Sequence, residues 1–138
     1  MTEDEAFAFV AARARTAKLA VVRKDGSPHV APVWVAVDGH ELVFNTGRET
    51  LKGKAMRRDP RVSMCFDDEA PPFAFVIVAG TVRFDDDPDE LLRWATTIGG
   101  RYMGEERAEE YGRRNAVPGE LLVRLTPTKV IGESGVAD

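Results

Sequence analysis

"GSPHVAPVWVAVDGHELVFNTGRETLKGKAMRRDPRVSMCF", residues 26–66, contains the changes of periodicity that decide the fold. Its first half is rich in β-branched and aromatic residues, with "PHVAPVWVAV" at 28–37 and "ELVFNT" at 41–46 joined across "DGH" at 38–40. That Asp-Gly pair is a turn signal because glycine accepts positive φ. In the second strand Leu42, Phe44 and Thr46 fall on one face, and Val43 and Asn45 on the other. After Thr46 the period changes. Leu51, Ala55 and Arg58 recur at helical spacing until Asp59-Pro60, where proline stops the helix, and "RVSMCF" at 61–66 returns to strand.

Working outward, "KLAVVRK" at 18–24 precedes a second Asp-Gly turn and completes a hairpin with 28–37. Acidic residues ahead of Phe7, Val10, Ala11 and Ala14 predict an amphipathic helix over 3–16. Downstream, "FAFVIVAGTVRF" at 73–84 reads as a long fifth strand. Asp87-Pro88-Asp89-Glu90 starts a helix whose apolar side is Leu91, Leu92, Ala95 and Ile98, and which the pair Gly99-Gly100 is expected to interrupt. A further helical piece over 103–114 leads to a last strand in which Leu121, Val123 and Leu125 alternate. Six hairpin-connected strands need closure to avoid open edges, so the expected fold is mainly β, a six-stranded antiparallel barrel with inserted helices. A length of 138 residues suits one domain, 1–138, with the barrel over 17–133.

The net charge is -4, which argues against a protein whose task is coating nucleic acid. No window approaches the roughly 20 apolar residues of a membrane span, and the acidic N-terminus is unlike a secretory signal. One cysteine, Cys65, points to a reducing compartment, and the cytoplasm is the expected location. With two histidines and that cysteine, no metal-ligand spacing exists; dinucleotide, P-loop and hydrolase signatures are also missing. Within this acidic chain, residues 45–62 carry six basic side chains against Glu49 and Asp59. A helix N-terminus flanked by lysine and arginine is a natural phosphate site; a solvated helix face is the equally simple alternative. Trp34 likewise reads as either a core residue or a ring contact.

The order of Gly26-Ser27-Pro28-His29, Pro32-Val33-Trp34, Phe44-Asn45-Thr46, Lys52-Gly53-Lys54 and Asp59-Pro60-Arg61-Val62 resembles the pyridoxamine 5'-phosphate oxidase-like split β-barrel superfamily. Within it, the chain is most similar to the short deazaflavin (coenzyme F420)-dependent reductases, over residues 7–133. The resemblance implies a homodimer with two cofactor sites between subunits, taking a small-molecule substrate and acting as an oxidoreductase. It further implies hydride transfer from reduced coenzyme F420 to an activated double bond. FMN is the alternative cofactor, and a non-catalytic flavin or haem binder the alternative role. Carried over residue by residue, it places the cofactor phosphate by Lys52, with Arg48, Thr50, Lys54 and Arg57 nearby. The ring would lie along Pro32, Val33 and Trp34, with Asn45 and Thr46 beside the ring or polyol chain. No catalytic side chain is assigned; Tyr102, Tyr111 and His29 are candidate proton donors. The chain lacks the Arg-x-x-Leu-Lys flavin strand and the terminal Trp-x-x-x-Arg-Leu motif of the vitamin B6 oxidases, which argues against that reaction.

Overall fold

The computed structural model describes residues 1–138. Seven strands form one antiparallel sheet: β1 (Ala17–Val22), β2 (Pro28–Val33), β3 (Ala36–Asp38), β4 (Glu41–Gly47), β5 (Arg61–Asp68), β6 (Ala74–Asp85) and β7 (Glu120–Ser134). Their order across the sheet is β2-β1-β5-β6-β7-β4-β3. The two outermost strands are therefore consecutive in the chain, and residues Trp34 and Val35 link one edge to the other. This joins the ends of the sheet into a split barrel around one interior. The helices are α1 (Glu3–Ala12), α2 (Leu51–Arg58), α3 (Pro88–Met103) and α4 (Ala108–Asn115). None is long and apolar enough to cross a membrane.

Inward-facing residues alternate along the strands, and Leu19, Phe44, Met64, Phe66, Val76 and Leu125 are fully buried in the main core. From the helices, Ala6, Phe7 and Val10 of α1 and Ala55 and Met56 of α2 complete that interior. A second, smaller cluster lies outside the barrel, where α3 sets Trp94 and Ile98 against Ala36, Val43 and Leu122. Burial of each such large side chain is worth roughly 1.5–3 kcal/mol.

Three sequence expectations change. The strand expected over 28–37 is two strands, because the Val35 N–H donates to the Tyr102 hydroxyl (3.2 Å) where a ladder bond would be needed. Six expected strands thus become seven. Helix α1 stops at Ala12 instead of residue 16, because the Arg101 guanidinium donates to the carbonyls of Val10, Ala11 and Arg13. Those are carbonyls a helix end leaves unpaired. Finally, Gly99 and Gly100 do not interrupt α3, which runs on to Met103. A Cβ on Gly99 would lie 2.6 Å from the Tyr111 Cβ, so this glycine serves the close approach of α4.

Candidate functional site

The site grows from the corner where β4 gives way to α2. Thr50 caps the helix: its Oγ1 accepts from the Gly53 N–H (3.1 Å) and donates to the Gly47 carbonyl (2.7 Å). The turn is drawn tight, since a Cβ on Gly53 would sit 2.2 Å from the Gly47 carbonyl oxygen. Thr46, buried at the end of β4, brings its hydroxyl to 3.4 Å from that of Thr50. Beyond the cap, α2 has no carbonyl of its own for the N–H groups of Leu51 and Lys52, and its dipole puts positive charge at this end.

These groups face a cleft of about 360 Å³. Seven of the ten expected cofactor residues line it: Pro32, Val33, Trp34, Asn45, Thr46, Thr50 and Lys52. Lys52 is half-buried there and enters none of the ion pairs formed by its neighbours, so its ammonium is uncompensated. Thus a phosphate fits this end of the cleft: a free ammonium, unpaired helix amides and a hydroxyl stand together.

The remaining three lie elsewhere. Lys54 is exposed and approaches Glu49 (3.6 Å). Arg57 donates to the Arg48 carbonyl (2.9 Å), and the side chains of Arg48 and Arg57 border a separate cavity. On bearing alone, then, α2 divides its charges between two directions.

Trp34 is half-buried, packed against the smaller cluster around Trp94 and Ile98. One indole face stacks on Tyr102 (centroids 5.0 Å apart, planes 5° apart), and the residue also lines the cleft. The Tyr102 hydroxyl is occupied: it donates to the Arg15 carbonyl (2.6 Å) and accepts from Val35. Neither Tyr111 nor His29 lines the cleft; His29 sits on β2 with its Nδ1 3.1 Å from the Arg23 guanidinium.

Three lining residues escaped sequence reading: Ile98, Asn115 and Glu120. Glu120 is the informative one, because its Oε1 accepts from the Asn45 Nδ2 (2.8 Å) and fixes which way that amide faces. It arrives through the pairing of β4 with β7, in which Gly47 faces Glu120. Nothing local in "VPGE" signals that pairing.

An antiparallel split barrel with a phosphate-competent corner between its fourth strand and second helix defines a class, and comparison with known proteins places the chain within it. A family model described as pyridoxamine 5'-phosphate oxidase matches residues 2–133, and the chain belongs to that family. No curated protein matches it significantly. Among solved structures, a conserved hypothetical protein of Mycobacterium tuberculosis is 27% identical with a TM-score of 0.84, covering 98% of this chain and 86% of that one. A protein described as an F420 reductase is 27% identical with a TM-score of 0.71, over 90% of this chain and 94% of that one. A heme binding protein of Mycobacterium smegmatis, 18% identical, shares the fold alone (TM-score 0.72, 99% of this chain and 60% of that one).

Proposed function

We propose that the protein is a coenzyme F420-dependent reductase, built as one split-barrel domain and working as a homodimer in a reducing compartment. The observation that carries this reading is the uncompensated Lys52 ammonium sharing one cleft with the Pro32–Trp34 ribbon. The similarity to an F420 reductase over nine-tenths of the chain supports it. On binding, the chemistry supplied is hydride donation from a reduced deazaflavin to an electron-poor double bond of a small substrate.

In this reading Lys52, the first amides of α2 and the Thr50 hydroxyl hold the phosphate, and so set how deep the ring reaches. Asn45, oriented by Glu120, offers its amide to the polyol or ring edge, while Ile98 and Val33 provide apolar walls. Solvent delivers the final proton, since Tyr102 has its hydroxyl engaged and no other candidate donor reaches the cleft. A second subunit fits against β2, where Val30 is 60% exposed beside the exposed Pro32 that lines the cleft. Lone Cys65 is compatible with reducing surroundings.

Titrating the purified protein with coenzyme F420, FMN and haem, each followed by its absorption spectrum, tests the proposal. Coenzyme F420 is expected to bind most tightly. Lys52→Ala should weaken it roughly tenfold or more, the value of one charge-assisted contact. Tight FMN or haem binding without coenzyme F420 binding overturns the choice of cofactor; unchanged affinity in Lys52→Ala overturns the placement of the phosphate.

A further inference from the structure

We propose that the cavity behind the Gly47–Thr50 turn is a second ligand site, one that takes an amphipathic organic anion: an apolar body carrying a carboxylate or sulfonate. This site stands independently of the deazaflavin reading. Its volume is about 610 Å³, larger than the cleft, and Glu120 lines both spaces as the partition between them.

Three features define the occupant. On one side stand the guanidinium groups of Arg48 and Arg57. The Arg48 side chain makes no hydrogen bond or ion pair, and the one ion pair of Arg57 is with Glu49 at 3.9 Å, on a side chain that is itself mostly exposed. Two weakly compensated guanidinium groups together favour a planar anion that accepts paired hydrogen bonds. The floor is apolar, with Phe84 and Val117 exposed at 37% and 43% and Leu121 half-buried between them. Such side chains in a concave setting gain from covering by an apolar body. The cavity also carries the carboxylates of Asp85, Asp86 and Asp87, with Glu120 a fourth on the partition, and two of the three aspartates also hold the local fold. Asp85 accepts from the Asp87 N–H (3.0 Å), and Asp87 caps α3 by accepting from the Asp89 N–H (2.9 Å). Hydrogen bonding to backbone amides leaves both of these carboxylates charged, so together with Asp86 they repel a second negative group at that end. The ligand is therefore a molecule with its negative group at one end and an uncharged or cationic group at the other.

The walls are held in place by the fold. The Arg48 N–H donates to the Gly119 carbonyl (2.7 Å), tying the two loops across the cavity, and Arg57 braces the same segment through the Arg48 carbonyl (2.9 Å). A site so braced exists before any ligand arrives, which lowers the entropy cost of binding.

The amphipathic arylsulfonate 8-anilinonaphthalene-1-sulfonate is the probe. Fluorescence titration of the full chain is expected to show saturable binding at one site per chain. Arg48→Ala, which removes a side chain with no structural partner, should weaken it about tenfold. Val117→Glu, which sets a negative charge on the floor, should abolish it, while Phe73→Ser, in the connection before β6 and away from this cavity, should leave it unchanged. Lys52→Ala is expected to keep full probe affinity whatever becomes of its cofactor affinity, so failure of this site and failure of the cofactor proposal read differently. Equal affinity in wild type, Arg48→Ala and Val117→Glu, or affinity lost only in Phe73→Ser, overturns the assignment.

Discussion

Arg124 and Lys52 are both cations anchored near the β4–β7 pair, and their surroundings are opposite. Arg124 is 8% exposed; its guanidinium lies 2.9 Å from Asp38 and within 4.0 Å of Glu41, Asp85 and Glu90, and 5.6 Å from the centre of the Trp94 ring. Lys52 has no acidic partner and opens onto a cleft. A buried charge without counterions costs more than the fold can bear, so Arg124 is surrounded by them and is structural. A half-exposed ammonium left bare costs little in water and becomes favourable when an anion arrives. The lesson is that pairing, more than charge itself, separates cations that hold the fold from cations kept for a ligand.

The contrast breaks most visibly at Arg124. Arg124→Ala leaves several carboxylates facing one another beside a void, and should lower stability by about 3 kcal/mol in urea denaturation. Gly53→Ala is next, since its new Cβ meets the Gly47 carbonyl; about 2 kcal/mol should be lost together with cofactor affinity, because the cap turn must move. Thr50→Ala removes the cap hydrogen bond and should cost about 1 kcal/mol by the same measurement.

Acid should act on stability through the paired carboxylates. Hydrogen bonds from Arg83, and next from Thr126, hold the Glu41 carboxyl below its ordinary 4.5, the Arg15 guanidinium holds Asp68 below 3.8, and the Arg61 guanidinium holds Asp59 down at about 2. Folded values below unfolded ones mean stability that is complete above about pH 4.5 and is lost as pH falls through the lower folded values. Glu41→Gln should therefore flatten the acid limb of a plot of melting temperature against pH. The smallest effect sharpens the comparison: Lys52→Ala should shift unfolding free energy by less than about 0.5 kcal/mol, since nothing in the fold depends on that ammonium. Equal destabilisation by Arg124→Ala and Lys52→Ala would remove the distinction between them.

How far the sequence revealed this depends on the range of the forces involved. The hairpin turns and the stop at Asp59-Pro60 are local, and each was readable from neighbouring residues, whereas the Thr50 cap emerged only from the structure. Charge pointed to the corner at Lys52, and only the resemblance joined to it Pro32–Trp34 and Asn45, which line the same cleft. What else escaped came from distant partners. Tyr102 splits the strand at Val35 from 67 positions away, and Arg101 ends α1 from about 90. Glu120 meets Asn45 from 75 positions away, through strand register alone. Glycines 99 and 100 misled for the same reason: read locally they break a helix, and only the packing of α4 shows why a side chain is excluded there.

The place of β7 between β6 and β4 carries a consequence for biosynthesis. A nascent chain that has cleared the ribosome only as far as residue 115 holds β3 and β4 with nothing to zip them to β6. The Asn45 to Glu120 contact does not yet exist, so the cleft has no wall on that side. Because β7 alone bridges β6 and β4, the barrel cannot close until residues 120–134 are available.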